Sequence, residues 1–331
     1  MNLILGLTAV ALATAIIFGY LIFIWWLDRY EREPFWLVML TFAWGALGGT
    51  FLGCTLSLIM SVPMSAIVSA AYADFTMAVV IAPLTEELTK GLIFLALLFT
   101  SHLDNETDGL IYGAATGLGF ACVENLLYFA SAAAVGPEAF YITIVMRTLF
   151  TALVHTISSA LLGYAIGYVR HRELWPWRWT LPLVGFALAV LNHALWNLAA
   201  SLGSTGLVSD TIAVVSIGSG LLLVIGMSVV MFALCQFSLL REQRIIKKYL
   251  CDEAKQGTLP RRHAEIIPYW LKRRKRGWLP PHIPHEDYLQ AATLLAFRRY
   301  QADTAAEKYR PQYLEEVQEK RQKLLSLAAP G

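Results

Sequence analysis

Charged residues are scarce in this sequence, and their scarcity excludes most water-soluble folds. Only 15% of its 331 residues are charged while 57% are hydrophobic, and the mean hydropathy is +0.54. A soluble domain typically carries about 25% charged residues. Cysteine is scarce too: Cys54, Cys122, Cys235 and Cys251 have neither paired nor metal-binding spacing, so a disulfide framework is not expected. We therefore expect an integral membrane protein without disulfide bonds.

Long apolar runs fill the chain up to about residue 240. A bilayer core about 30 Å thick needs roughly 20 apolar residues per helix. On that measure seven spans are predicted, at 3–27, 36–60, 76–100, 109–131, 140–169, 181–200 and 208–240. Residues 61–74 stay open between a loop, a short interfacial helix and an early start of the third span. The predicted fold is an all-α, polytopic transmembrane helix bundle of about seven spans.

Basic residues are rare in the apolar part and dense after it. Nineteen of the twenty-six Lys and Arg residues follow Leu240, and Arg29 and Arg32 follow the first span. Because cytoplasmic loops carry the excess of Lys and Arg, the N-terminus is predicted outside and the tail in the cytoplasm. We expect a multi-pass cell-membrane protein with a transmembrane domain over 1–240 and a basic cytoplasmic helical tail over 241–331.

The tail itself offers two patterns. Residues 313–327 are predicted to form an amphipathic helix, with its apolar side chains at Leu314, Val317, Leu324 and Leu325. The basic run 272–276 suits anionic lipid head groups, although the sequence slightly favours a solvated surface. Beyond the bilayer and such lipids, we expect a membrane-protein partner and no nucleic acid.

Polar side chains occur inside the predicted spans in an unusual number. They are Glu86, Glu87, Lys90, Glu124, Asn125, Arg147, His155, His193 and Asn197. An ionisable residue at the bilayer centre costs about 2.5–3.5 kcal/mol even on the lenient insertion scale. We therefore expect these groups to face one another or water, and not lipid.

Four of these side chains are predicted to lie at one depth in the membrane. Glu87, Glu124, His155 and His193 are each twelve to fifteen residues from the cytoplasmic end of their span, which is about 20 Å at 1.5 Å per residue. A lone intramembrane histidine is usually a packed, hydrogen-bonded residue. The shared depth with two carboxylates favours a functional site instead.

The neighbours of this layer have simpler interpretations. Arg147 is interpreted as a counter-charge, and Ser158 and Ser159 as small packing residues. Glu86 and Glu87 cannot both ionise cheaply in a low dielectric. One of them should be held by Lys90 or a cation, which leaves the other fit to act as a general base.

The residues in this layer resemble those of a known family. The resemblance to the PrsW intramembrane proteases covers about 75–200 and consists of Glu86-Glu87-Leu-Thr-Lys90 (EExxK), Phe120-Ala-Cys-Val-Glu124 (FxxxE), His155, and His193-Ala-Leu-Trp-Asn197. That family is similar to the CAAX prenyl-protease and bacteriocin-processing superfamily. The second motif here carries glutamate where the wider superfamily has histidine, which favours PrsW. The resemblance implies cleavage of membrane proteins, and for PrsW the removal of the extracytoplasmic part of a single-pass anti-sigma factor.

The hypothesis is peptide-bond hydrolysis by glutamate-activated water, with catalytic candidates Glu86, Glu87, Glu124, His155, His193 and Asn197. Glu87 or Glu86 is the general base in it, while the others bind a metal or stabilise the oxyanion. In the metal version, Zn²⁺ is bound by a set drawn from Glu87, Glu124, His155 and His193. In the metal-free version, glutamate activates water directly and His193 with Asn197 donates hydrogen bonds to the intermediate. Both versions stay open.

Other classes of membrane protein are disfavoured by what is missing. The chain has no HExxH motif and no GxGD motif, and Ser219 lacks the upstream glycine of a rhomboid GxSG motif. The alternative function is a proton- or cation-coupled transporter or channel that uses the Glu/His layer as a relay, and a third is a scaffold in which the layer only fixes helix pairing. Transporters usually show repeated halves, and this chain has no such repeat.

Overall fold

The computed structural model describes residues 3–100, 102–170, 175–204, 208–305 and 307–329. Within these ranges the chain folds into helices and forms no β-strand, which confirms the all-α prediction. All four cysteines are free. Residues 1 and 331, the outer limits of the predicted domains, lie outside the described residues.

Each predicted span coincides with a long helical segment. In chain order, α1 is Leu3–Leu27, α2 is 35–67, α3 is 70–91, α4 is Ile93–Leu97, α5 is Glu106–Val135, α6 is Pro137–Val169, α7 is Trp177–Ser204 and α8 is Asp210–Lys255. The last of these continues well past the predicted end at residue 240.

The third predicted span differs from the other six. In the described part of the chain, six helices are long and apolar enough to cross a membrane, and α3 is not one of them. It carries Asp74, Glu86, Glu87 and Lys90, and the chain turns at Leu92 before α4. At 1.5 Å per residue α3 is still about 33 Å long, enough for a bilayer core. The polytopic bundle is confirmed, with one polar helix among its apolar spans.

The open stretch 61–74 divides between two helices. α2 continues to Ile67, Val68 and Ser69 are extended, and α3 begins at Ala70. The stretch is therefore neither a separate helix nor a long loop, because a two-residue break is enough to turn the chain from α2 into α3.

Three helices contain a π-helical segment that the apolar pattern does not reveal. These segments are Trp44–Gly49 in α2, Met77–Ile81 in α3 and Arg147–Thr151 in α6. A π-segment inserts an extra residue into the helical turn and is frequently found at functional sites. It changes which side chains face the centre of the bundle, and α3 and α6 both carry candidate site residues.

Glycines bring α5 and α6 into backbone contact. Gly109, Gly113 and Gly117 are one turn apart on α5 and face α6. A Cβ atom at Gly113 would lie 2.8 Å from the carbonyl carbon of Ser159, which is too close for any side chain. Small residues allow this approach in membrane bundles, and it fixes the position of α6.

Backbone contacts divide the chain into two units. The first comprises Met1–Leu27, Glu33–Tyr168 and Trp179–Ala233, and the second comprises Asp28–Arg32, Val169–Arg178 and Leu234–Gly331. The predicted domain boundary at residue 240 stays a prediction.

The second unit has a helical interior of its own. Its helices after α8 are α9 (Arg261–Ile266), α10 (Trp270–Arg273), α11 (His285–Thr304) and α12 (Arg310–Ala328). In α12, Tyr313, Val317 and Leu324 are buried, whereas Leu314 and Leu325 are about half exposed. The predicted amphipathic helix thus forms, but the prediction was wrong about Leu314 and Leu325, because the stripe that faces α11 starts one residue earlier, at Tyr313.

A buried carboxylate joins three segments of this unit. Glu253 is fully buried and accepts hydrogen bonds from Thr258 Oγ1 at 2.6 Å, Arg299 at 2.7 Å and Arg321 at 2.6 Å. Burial alone would raise the pKa of Glu253, but hydrogen bonds from Arg321, Thr258 and Arg299 hold that pKa below its usual value. The ionised carboxylate is therefore the form that the fold stabilises.

We expect Glu253→Gln to lower the free energy of unfolding of the second unit by about 1–3 kcal/mol, because it removes the charge from the hydrogen bonds to two partly exposed arginines. Thermal unfolding of the full chain would measure it, with the exposed Glu265→Gln as the control. Since the pKa of Glu253 is lowered in the folded state, its contribution is present above the unfolded pKa of about 4.3 and is lost as the pH falls. Equal unfolding temperatures for both variants at pH 7 would contradict this.

Candidate active site

The polar residues of four helices meet within the first unit. α3 provides Glu86 and Glu87, α5 provides Glu124, α6 provides His155 and α7 provides His193. The structure thus brings together the four side chains that were predicted to share one depth. Consecutive residues on a helix point about 100° apart, so Glu86 and Glu87 have different surroundings.

Glu87 is enclosed by hydrogen-bond donors. Its side chain is 1% exposed, and its Oε1 accepts from Lys90 Nζ at 2.7 Å and lies 2.9 Å from His193 Nδ1. Its Oε2 accepts from Ser159 Oγ at 3.2 Å. Both oxygens of Glu87 are occupied by protein groups, and they hold the ring of His193 in place.

Lys90 links the same carboxylate to the second histidine. Its Nζ lies 2.8 Å from His155 Nδ1 and 4.0 Å from the centre of the Phe120 ring. Its distance to Glu86 Oε2 is 3.8 Å, against 2.7 Å to Glu87 Oε1. The buried ammonium group is thus neutralised mainly by Glu87. Lys90 or a cation was expected to hold one of the two glutamates, and Lys90 holds Glu87 directly.

Three potential metal ligands converge on the other side of these histidines. One ligand atom each from Glu86, His155 and His193 lies within 4.8 Å of the other two, and the two imidazole rings are 4.7 Å apart. Glu86 Oε2 and His155 Nε2 are buried and have no hydrogen-bond partner among the described residues. The nearest charged neighbours of these two atoms are Glu124 Oε2, at 2.8 Å from His155 Nε2, and Lys90 Nζ, at 3.8 Å from Glu86 Oε2. Buried polar atoms are normally hydrogen-bonded, so two ligand atoms without a hydrogen bond beside a third suit a bound cation.

The donor set also fits a catalytic metal. Two imidazole nitrogens and one carboxylate oxygen are a ligand set typical of catalytic zinc, which keeps a further position for water or substrate. A metal-binding histidine usually gives its other nitrogen to a carboxylate, and the contact of His193 Nδ1 with Glu87 has that form. Glu86, rather than the predicted Glu87, therefore has the geometry of a ligand.

Glu124 lies beside this cluster and is neutralised by arginine. Its Oε2 accepts from Arg147 at 2.5 Å and lies 2.8 Å from His155 Nε2, although not at hydrogen-bonding angles. Arg147 also donates to Asn125 Oδ1 at 2.9 Å and lies 3.6 Å from the ring of Tyr128. The interpretation of Arg147 as a counter-charge agrees with these contacts.

A cavity of about 470 Å³ gives these groups room for a reaction. Its polar lining is Glu86, Glu124, Tyr128, Thr143, Arg147, Thr151, His155, His193, Asn197 and Ser201. Asn197 Nδ2 donates to the carbonyl oxygen of Ala78 at 2.8 Å, in the π-segment of α3. Glu87 is not part of the lining.

Sequence reasoning missed the hydrogen-bonding roles of three polar residues. Ser159, interpreted as a packing residue, donates to Glu87, and Ser158 accepts from Asn192 Nδ2 at 2.9 Å. Asn192 is buried next to His193 and was not singled out. Its place directly before a candidate histidine, on an otherwise apolar helix, was the available signal.

A bundle of membrane helices with carboxylates and imidazoles around a cavity is the arrangement expected of an intramembrane peptidase. The family model that matches this chain is described as PrsW family intramembrane metalloprotease and covers residues 33–234. Since that is more than half of the chain, the chain belongs to the PrsW family. The match includes every candidate site residue and ends before the tail.

Individual relatives agree with this assignment. Protease PrsW of Oceanobacillus iheyensis is 28% identical over 173 residues, which is 50% of this chain and 70% of that protein. Protease PrsW of Geobacillus kaustophilus is 29% identical over 176 residues, 51% of this chain and 69% of that protein. Protease PrsW of Clostridioides difficile is 36% identical over 106 residues, 31% and 43%. No solved structure matches the chain.

These findings confirm the predicted family and the predicted activity as an intramembrane peptidase, and nothing in them favours the transporter. The family is described as metal-dependent, and the Glu86, His155 and His193 cluster is one that could hold a metal. An intramembrane protease acts on membrane proteins and works within a membrane.

Proposed function

We propose that this chain hydrolyses a peptide bond of single-pass membrane proteins in the 470 Å³ cavity, with Zn²⁺ bound by Glu86, His155 and His193. The observation that carries the proposal is the convergence of these three buried ligand atoms, two of which have no hydrogen-bond partner. When bound, zinc supplies a Lewis acid for the scissile carbonyl and for the attacking water.

Glu124 is the proton carrier in this mechanism. Its Oε2 faces the cavity beside His155 Nε2, and it takes a proton from the attacking water and passes it to the leaving amine. Arg147 holds this carboxylate in one orientation. Asn197 uses one N–H for the Ala78 carbonyl and has a second that can donate to the developing oxyanion.

Glu87 and Lys90 are positioning residues in the same mechanism. Glu87 accepts the Nδ1 proton of His193, which leaves Nε2 free to bind the metal. Lys90 neutralises the Glu87 carboxylate and holds it outside the lining of the cavity. The side chain that sequence reasoning favoured as the base is thus assigned to the support of a ligand.

One contact favours the metal-free version as a second candidate. Lys90 Nζ lies 2.8 Å from His155 Nδ1, and an ammonium group can only donate, so the proton of a neutral His155 then sits on Nε2. In that state Nε2 cannot bind a metal, and Glu86, whose Oε2 has no hydrogen-bond partner in the described part of the chain, would be the base. Metal binding through Nε2 places the proton of His155 on Nδ1, so the Lys90 ammonium group would then give up its contact with Nδ1 and keep its ion pair with Glu87.

Removal of metal separates the two versions. We expect 1,10-phenanthroline to reduce cleavage of single-pass substrates in proteoliposomes by at least 100-fold, and one equivalent of Zn²⁺ to restore it, because the Lewis acid is lost with the metal. Elemental analysis should find one zinc per chain in the wild type. His193→Ala should contain none, whereas His102→Ala, which changes a histidine outside the site, should keep it.

Unchanged cleavage after complete removal of metal would reject the zinc site and select the metal-free version with Glu86 as base. Ion flux through the wild type that His193→Ala abolishes, with no proteolysis by either protein in the same proteoliposomes, would instead reject the hydrolase mechanism. Each result is distinguishable because the wild type, His193→Ala and His102→Ala are measured side by side.

The orientation is part of the proposal as well. Arg29, Arg32 and the cations after Leu240 support a cytoplasmic tail and an external N-terminus. The single-pass anti-sigma factors implied by the family resemblance would then be cleaved in a cavity reached from the membrane or its outer side. A reporter enzyme active only outside the cytoplasm, fused after residue 331, should stay inactive, and its activity there would contradict the orientation.

A further inference from the structure

The second unit carries a group of exposed cations that no carboxylate balances. We call it the basic patch, and it consists of Lys247, Lys272, Arg274, Lys275 and Arg276, all exposed. Among the residues that the structure describes, none of the five forms an ion pair. Some other exposed cations of the unit have a carboxylate partner, as Lys255 has in Asp252 at 2.8 Å. What distinguishes the patch is that two of its cations share one aromatic ring and line one cavity.

Aromatic rings hold these cations close together. Lys247 Nζ donates to Tyr269 Oη at 3.3 Å, and Lys272 Nζ lies 4.5 Å from the centre of the same ring. Arg274 lies 4.7 Å from the ring of Trp270. Two like charges on one tyrosine repel each other, and an anion placed between them removes that repulsion.

A cavity opens beneath these cations. It measures about 640 Å³ and lies between the end of α8 and the helices α9 and α10, with Lys247, Cys251, Arg261, Tyr269 and Lys272 in its lining. Among the described residues of its lining, Glu265 is the only one with a carboxylate, and Arg261 binds it at 3.1 Å. The space accommodates a phosphate group with its glycerol, and Lys and Arg are the usual donors to phosphate.

Contacts within the second unit place the patch at the border of the membrane. Residues 28–32 join α1 to α2, so they leave and re-enter the bilayer within a few residues. Arg273 donates to the Arg29 carbonyl at 3.0 Å, and Tyr30 Oη donates to the Pro268 carbonyl at 2.8 Å. α10 is therefore attached to a loop that lies at the membrane surface.

Two further features agree with that depth. Lys247 is seven residues beyond Leu240, the last residue of the apolar run, which is roughly 10 Å along α8. The head-group layer extends about 5–8 Å beyond the hydrocarbon core on each side, so the long side chain of Lys247 can reach back into it. Leu271 is 74% exposed and directly precedes the basic run 272–276, and an exposed apolar side chain next to cations is typical of interfacial segments.

We propose that the basic patch and its cavity bind the head group of an anionic phospholipid from the membrane in which the protein sits. The phosphate accepts hydrogen bonds from Lys247 and Lys272 in the cavity. Lys275 and Arg276 contact neighbouring head groups, and Leu271 enters the acyl boundary. This site is separate from the peptidase cavity and does not depend on the proposed mechanism.

The test uses the full chain in detergent, titrated with fluorescent phosphatidylglycerol and, separately, with fluorescent phosphatidylcholine. K272Q/K275Q/R276Q removes three patch charges, while K308Q/R310Q/K323Q removes three exposed charges elsewhere in the tail. Each cation near an anionic surface contributes about fivefold to binding. We expect the patch variant to weaken phosphatidylglycerol binding at least tenfold and the control variant less than twofold, with phosphatidylcholine binding weak and equal throughout.

Circular dichroism and gel filtration will verify that both triple variants are folded, so that their lipid affinities can be compared. Equal loss in the two triple variants would overturn the proposal, because binding would then follow total charge. Equal binding by the patch variant and the wild type would overturn it too. Displacement of the lipid by soluble glycerol phosphate at the same concentration would show that the site takes a free phosphate compound, and the assignment to a membrane lipid would be rejected.

Discussion

Glu86→Gln is expected to reduce cleavage of single-pass substrates by at least about 1,000-fold and to remove the metal, whereas Glu87→Gln is expected to cost only about 10–100-fold. Glu86 is one of the three converging ligand residues and its Oε2 has no hydrogen-bond partner among the described residues. An amide oxygen is a far weaker ligand than a carboxylate. Glu87 supports His193 from behind, and loss of such outer contacts typically costs 10–100-fold in affinity or activity.

The measurement is kcat/KM in proteoliposomes together with zinc content, and Glu138→Gln serves as control because it changes an exposed glutamate at the start of α6. The order of the two effects is the decisive quantity. A larger loss in Glu87→Gln, with metal retained in Glu86→Gln, would return the ligand or base role to Glu87. In the metal-free version Glu86→Gln is equally severe, but chelators leave the wild type unchanged.

The choice between these two glutamates shows where sequence reasoning ends. Spacing put both on α3, at the depth of Glu124, His155 and His193, because helical rise converts residue number into depth. Depth says nothing about which way a side chain points. The orientation of Glu86 and Glu87 depends on the π-segment Met77–Ile81 one turn before them, which has no sequence signature.

The contacts of the charged side chains were predictable only in part. An arginine two turns from His155 was expected to be a counter-charge, and it binds Glu124. The sequence does not predict that Lys90 pairs with Glu87 rather than with Glu86, because both glutamates are within about one helical turn of it. The choice is made by His193 and Ser159, which reach Glu87 from α7 and α6.

The spans were predictable because the bilayer imposes a length on every apolar helix. The tail was less so, because its fold depends on pairing between distant charges such as Glu253 with Arg299 and Arg321. Composition alone described it as a basic appendage. The structure adds a buried interior, with Glu253 paired to two arginines inside it.

Gly117→Ala is expected to lower the unfolding temperature and to reduce cleavage by at least 100-fold. Its new Cβ would lie 2.6 Å from the carbonyl carbon of His155 and closer still to the oxygen. Backbone atoms cannot rotate away as a side chain can, so α6 must move outward at the residue that contributes a ligand. Overpacking of this kind typically costs about 1–3 kcal/mol, and a displaced ligand loses catalysis in addition.

Two alanine controls separate displacement of His155 from loss of stability. Gly109→Ala produces the same clash at the carbonyl carbon of Gly163, also 2.6 Å away, but eight residues and about 12 Å earlier on α5. It should destabilise the bundle as much as Gly117→Ala while leaving most of the activity at a temperature where both variants are folded. Gly226→Ala meets nothing within 4 Å and should change neither property. If Gly117→Ala and Gly109→Ala lose activity equally, the contact between α5 and α6 supports the fold in general and does not set the position of His155.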